Sequence, residues 1–224
     1  MQSVEKVIQV AKGFHGVKES PANSNNVIFN THYYGREVSG SSYPWCCVFV
    51  WDVFRLAGMS DVFCGGQKTA YCPEVENYYK TRGRFFKDGK RGDLVLMDFG
   101  KGRASHIGIL LDTTSTGYLV IEGNTSVTSN DNGGKVMIRE RKKNVIRGFA
   151  RPVYPKDEKV ETEYYEKCSS KEKSIVDGLK SIGESGTFSK RFEIAKKNGM
   201  TGYAGTAEEN TKLLKLLKTG KLKK

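Results

Sequence analysis

The sequence predicts an α+β fold over residues 1–155, followed by a small three-helix bundle over residues 171–224. Three observations carry this reading. An apolar helical stretch begins at Pro44, five strand-like segments follow one another between residues 93 and 151, and three segments with helical spacing close the chain. Helices followed by consecutive strands imply an antiparallel sheet with helices packed against it.

Each element has a local reason. A helix is expected around Val4–Lys12, then a long amide-rich loop that includes Tyr33, Tyr34 and Gly35. Pro44 suits the first turn of a helix, because it has no N–H to leave unpaired and its φ is already helical. Apolar residues then run through Phe54, Leu56 and Ala57 until Gly58 offers a stop. Another helix is expected around Pro73–Thr81. Strands are expected at 93–98, 106–112, 118–122, 135–141 and 145–151, with turns at Thr113–Gly117 and Asn130–Gly134. Residues 156–170 are charged and rich in acids, which reads as a linker. Beyond them, Ile175, Val176, Leu179 and Ile182 have helical spacing. Ser189 is placed to cap a second helix through Phe192, Ile194 and Ala195, and Thr206–Glu209 forms a capping-box pattern ahead of Leu213, Leu214, Leu216 and Leu217.

The chemistry of the chain concentrates at Cys46. A thiol at a helix entrance meets the positive end of the helix dipole and unpaired N–H groups, both of which favour thiolate, the nucleophilic form. The same N–H groups can hold the oxyanion formed when a thiolate attacks a carbonyl. Only three histidines exist, His15, His32 and His106. His106 opens one strand-like run, and Glu122 and Asn124 lie on the next, two positions apart and therefore on one face. If the two strands pair, Glu122 or Asn124 can hydrogen-bond one nitrogen of the His106 ring. That would complete a cysteine–histidine–carboxylate arrangement, with histidine as base and then acid.

The order Trp45-Cys46, Gly92-Asp93-Leu94-Val95, Ser105-His106-Ile107-Gly108 and Ile121-Glu122-Gly123-Asn124-Thr125 resembles the CHAP domain, a papain-like amidase and peptidase domain of bacterial and phage cell-wall hydrolases. The resemblance spans roughly residues 1–153. It implies a papain-like half-barrel sheet packed on helices, with Cys46 as nucleophile, His106 as base, Glu122 as orienting carboxylate and Asn124 as a supporting polar residue. This chain departs from the family in having Cys47 where a small residue is usual; Cys46 is assigned because it follows Trp45, and Cys47 is turned about 100° around the helix. The implied activity is that of a phage-type endolysin cleaving an amide bond of Gram-positive peptidoglycan. The N-acetylmuramoyl-L-alanine amide is favoured over a stem-peptide or cross-bridge bond. Trp45, Tyr43 and Tyr71 are the expected substrate contacts, with Trp51 in the core.

Other chemistries fit less well. The three histidines are scattered and no Cys-x-x-Cys pair exists, which argues against a zinc site. The loop from Glu19 to Asn26 contains no aspartate, unlike the Asp-rich calcium loop of some CHAP domains, and Asp93 and Asp131 are isolated. No cofactor is expected. Cys47, Cys64, Cys72 and Cys168 read as small buried hydrophobes.

The chain has 224 residues and a formal net charge of +12. The excess is carried by residues 1–150 and 171–224, while 151–170 are slightly acidic. Such charge suits nucleic acid, an anionic membrane surface or a wall polyanion such as teichoic acid. No nucleic-acid fingerprint accompanies it, so a wall polyanion bound by residues 171–224 is favoured, and a non-catalytic wall-binding protein is the competing class. That segment also looks like the short C-terminal modules of Gram-positive lysins. Phe188, Phe192 and Tyr203 could stack on sugars there, with a core role favoured. A bundle this small permits self-association. No membrane span and no secretory signal is visible, which fits a lysin held in the host cytoplasm until another protein opens the membrane.

Overall fold

The computed structural model describes residues 3–155 and 163–224. The chain forms two compact units, residues 1–157 and 158–224. Residues 156–162, the first half of the expected linker, lie outside the described residues.

The first unit is α+β. Helices α1 (Ser3–Gly13), α2 (Ile28–Tyr34), α3 (Cys46–Leu56) and α4 (Cys72–Lys80) precede strands β1 (Phe85–Phe86), β2 (Leu94–Met97), β3 (His106–Thr113), β4 (Gly117–Thr125), β5 (Lys135–Lys142) and β6 (Ile146–Ala150). The strands form one antiparallel sheet in the order β1-β6-β2-β3-β4-β5. Three elements differ from expectation, the first being β1, a two-residue strand too short to be read from sequence. Helix α2 lies in the expected loop, because seven residues are too few to display periodicity and its Val27 N-cap supplies no side-chain cap. Pro44 lies just before the N-cap Trp45, so Cys46 is the first residue of α3.

Alternation on β3 divides the apolar side chains between two layers. Ile107, Ile109 and Leu111 join the main core with Val7 and Ile8 of α1, Phe29 of α2 and Phe49, Val50 and Val53 of α3. Leu110 joins Val95, Met97, Val120 and Phe149 on the other face. At Gly123, β4 lies so close to α3 that a Cβ would sit 2.7 Å from both Phe49 Cβ and Trp45 Cζ3. Only a bare backbone fits there.

The second unit contains α5 (Ile175–Ser181), α6 (Phe188–Lys197) and α7 (Ala207–Thr219), which share a core of Ile175, Leu179, Ile194, Leu213 and Leu217. Tyr165 and Cys168, assigned from sequence to the linker, are buried in this core. Their apolar atoms have a place to go once the leucines of α7 are assembled. Thr187, not Ser189, caps α6, its side chain accepting from Lys190 N–H. Thr206 and Glu209 form a reciprocal capping box on α7. Thr206→Ala is expected to cost about 1 kcal/mol, measurable by circular dichroism as earlier melting of the full chain. Among the described residues, no helix is long and apolar enough to cross a membrane.

Candidate active site

Cys46, His106 and Glu122 are brought together by three adjacent elements. Cys46 stands at the start of α3, and no side chain caps that helix among the described residues. Its first-turn N–H groups therefore lack both an intrahelical and a side-chain acceptor. His106 opens β3 and Glu122 lies on neighbouring β4, both fully buried. His106 Nε2 is 2.5 Å from Glu122 Oε2. Gly108 makes this approach possible: a Cβ there would lie 2.5 Å from Val120 Cγ1 and 3.0 Å from Glu122 Cβ.

A residue missed in the sequence completes the carboxylate's surroundings. Arg141 of β5 forks onto Glu122, with Nε 2.7 Å from Oε1 and Nη2 2.8 Å from Oε2. Its Nη1 also donates to Asn130 Oδ1 at 2.7 Å. This bidentate geometry fixes the carboxylate plane and supplies charge-assisted hydrogen bonds to both oxygens. On sequence, Arg141 is only the end of an expected strand over 135–141. Register alone does not find it, because Arg141 lies opposite Tyr118 and Glu122 opposite Met137, and the long arginine side chain reaches along the sheet to the carboxylate.

The charges follow from this packing. Burial would raise the Glu122 carboxyl, but His106 and Arg141 outweigh it and hold the group below the usual carboxylate range. Glu122 is therefore ionised, and the imidazole nitrogen facing it donates a proton. His106 Nδ1 has no hydrogen-bond partner among the described residues. Burial would lower the imidazole, yet the Glu122 charge and the Cys46 side chain raise it to about 9. The Cys72 thiol and burial push Cys46 well above the ordinary thiol value, while His106 pulls it down. Near neutral pH the site therefore holds a thiol beside an imidazolium. Because the two groups influence each other, the first proton lost near pH 9 belongs to the pair.

Cys46 opens onto a cleft of about 190 Å³, also lined by Tyr71, Cys72, Arg103 and Ser105. Tyr71 is half exposed and has the Arg103 guanidinium 5.5 Å from its ring centroid. A larger hollow of about 790 Å³ is lined by Glu76 and Asp98, each ion-paired with Arg147, and has no cysteine or histidine in its lining. The smaller cleft is the one with chemistry.

Several expected residues lie elsewhere. Trp45, expected against substrate, is fully buried: it stacks on Phe29 at 5.4 Å, and its Nε1 donates to Glu19 Oε1 at 2.8 Å. Its place directly under Gly123 explains the difference. Tyr43 does not line the cleft and packs edge-on to Tyr34 at 5.0 Å. Trp51, expected in the core, is half buried and packs against it from the side, beside Tyr33 and Lys68. Asn124 does not bond His106. A register shift after Glu122 and a φ of 56° at Asn124 break the strand alternation that would have aligned them. Its Oδ1 accepts from Gly134 N–H at 3.1 Å, so it braces the 124–134 loop. His32 is held by Asp52 at 2.7 Å, away from this site.

Cys47 donates to the Thr69 carbonyl at 3.4 Å. Asp131 pairs with Lys101 and Asp93 with Arg151. Among the described residues, no group of three or more His, Cys, Asp or Glu is arranged to hold a metal ion. In comparison with known proteins, no family model and no curated protein sequence matches the chain.

Proposed function

We propose that this chain is a cysteine-dependent hydrolase of peptidoglycan amide bonds, in the manner of the CHAP domains that its motifs resemble. The carrying observation is the assembly of Cys46 at an uncapped helix start with the buried His106–Glu122 pair. In this reading His106, once it has lost its proton, takes the proton of the Cys46 thiol. The thiolate attacks the substrate carbonyl, and the oxyanion is met by the first-turn N–H groups of α3. His106 then gives its proton to the departing amine. Water, deprotonated by the same ring, hydrolyses the thioester, releasing a carboxylate and restoring the thiol. Glu122 and Arg141 hold the ring in position and remain ionised throughout.

The favoured bond is the N-acetylmuramoyl-L-alanine amide, and the stem-peptide or cross-bridge bond is the alternative. For residues 171–224 we propose binding to a wall polyanion, supported by the lysine-rich surfaces of α6 and α7. The test is digestion of purified Gram-positive peptidoglycan by the full chain and by Cys46→Ala, followed by mass spectrometry. Cys46-dependent release of free stem peptides means amidase; shortened stems still attached to glycan mean endopeptidase. Wall binding with no Cys46-dependent product would overturn the hydrolase and favour a binding protein.

A further inference from the structure

We infer that Cys46 and Cys72 form a reversible disulfide, and that Cys72 is an oxidative modification site paired with the candidate nucleophile. Each is the first residue of its helix, α3 and α4, and both line the same cleft. Their sulfur atoms are 3.8 Å apart, and both cysteines are free in this structure. A disulfide requires about 2.05 Å, so the sulfurs must approach by roughly 1.8 Å. Side-chain rotation at two helix starts beside an open cleft can supply most of that. The competing thiol on α3, Cys47, also interacts with Cys72, but it donates to the Thr69 carbonyl and does not line the cleft.

A peroxide is the oxidant class whose chemistry fits. The Cys46 sulfur attacks one oxygen of hydrogen peroxide, breaking the O–O bond and giving a sulfenic acid and one water. The Cys72 sulfur then attacks the Cys46 sulfur, forming the S–S bond and expelling a second water. Two thiols have lost two electrons and two protons, and the peroxide has become two waters. A dithiol reverses the step by exchange, restoring both thiols. The bond would occupy the nucleophile and so switch hydrolysis off, while sparing Cys46 from the irreversible sulfinic and sulfonic states. Formation of the link does not depend on the proposed hydrolysis; only its effect on activity does.

The experiment treats the full chain with hydrogen peroxide, blocks remaining thiols with iodoacetamide and maps tryptic peptides by mass spectrometry. Cleavage after Arg36, Arg55, Lys68 and Lys80 leaves Cys46 and Cys47 on one peptide and separates Cys64 from Cys72. Cys47→Ser is therefore examined in parallel to assign the link. The expected product joins peptides 37–55 and 69–80, is lighter by about 2 Da than the sum of the free thiol peptides, persists in Cys47→Ser and disappears with dithiothreitol. In Cys72→Ser, Cys46 is expected to end as sulfinic or sulfonic acid that dithiothreitol does not reduce. Wall lysis, measured against each variant's own untreated rate, should be lost on oxidation in both. It should return with dithiothreitol only when Cys72 is present. A link to Cys47 or Cys64 instead, or equal irreversible oxidation of Cys46 with and without Cys72, would overturn the inference. A Cys46–Cys72 link in a protein that hydrolyses no wall would uphold it and remove the hydrolase reading alone.

Discussion

Replacing His106 by alanine is expected to lower kcat/KM for a wall amide by roughly 10²–10⁴-fold, the usual contribution of a positioned acid–base group. The pH dependence gives the prediction its sign. His106 is raised from 6.5 to about 9, chiefly because the Glu122 charge overcomes burial. Below that pH the ring already carries the proton it would need to accept, so the rate should climb as pH rises towards 9. In Glu122→Gln the carboxylate charge is gone, so the rising limb should move to lower pH while the maximum falls through poorer ring orientation. A pH–rate profile on soluble wall fragments checks both effects, and an unmoved limb in Glu122→Gln would contradict the charge coupling. Stability should run the other way. A raised imidazole stabilises the fold fully below pH 6.5, and that contribution disappears as pH rises through about 9. Thermal melts across this range should show the fold weakening as the imidazole loses its proton.

Arg141→Met is expected to destabilise the protein by about 3–5 kcal/mol, the range for removing one partner of a buried ion pair. Glu122 is completely buried, and Arg141 holds both of its oxygens. The remaining cation, His106, bonds only one oxygen and stays protonated only below about pH 9. The loss should therefore be larger at pH 9 than at pH 6. Glu122→Gln combined with Arg141→Met should recover part of it, because the orphaned charge is gone. Urea titrations of the single and double variants measure both terms. A cost below about 1 kcal/mol for Arg141→Met, as for an exposed pair, would show that water reaches the carboxylate when the arginine is absent.

The parts legible in the sequence were those specified locally. The α3 helix, the β3 and β4 strands and a place for His106 within reach of Glu122 or Asn124 follow from periodicity, turn residues and the two-residue repeat of a strand. The parts that were not legible depend on neighbours distant in sequence. Cys72 looked like a filler because nothing local states that α4 begins beside α3. Trp45 looked like a substrate contact until Phe29, Glu19 and Gly123 closed around it. Asn124 seemed aligned with Glu122 because one left-handed residue is invisible to an alternation rule. In the second unit, Phe188 and Phe192 are 51% and 44% exposed, whereas Tyr203 enters the core. The same helical pattern was compatible with either arrangement until the leucines of α7 claimed the interior.

The seating of β4 on the Trp45 and Phe49 side chains at the start of α3 means that at Gly123 the alignment of the site is set by a joint with room for nothing else. The bare backbone of Gly123 fits against two fully buried aromatic side chains, which have little freedom to change rotamer. The distance from the Cys46 end of the helix to the Glu122 strand is thus gauged by the thickness of these two buried rings. The same rigidity makes the joint brittle. A single methyl group at position 123 would have to push Trp45 or Phe49 aside, and with them the start of α3 that carries Cys46.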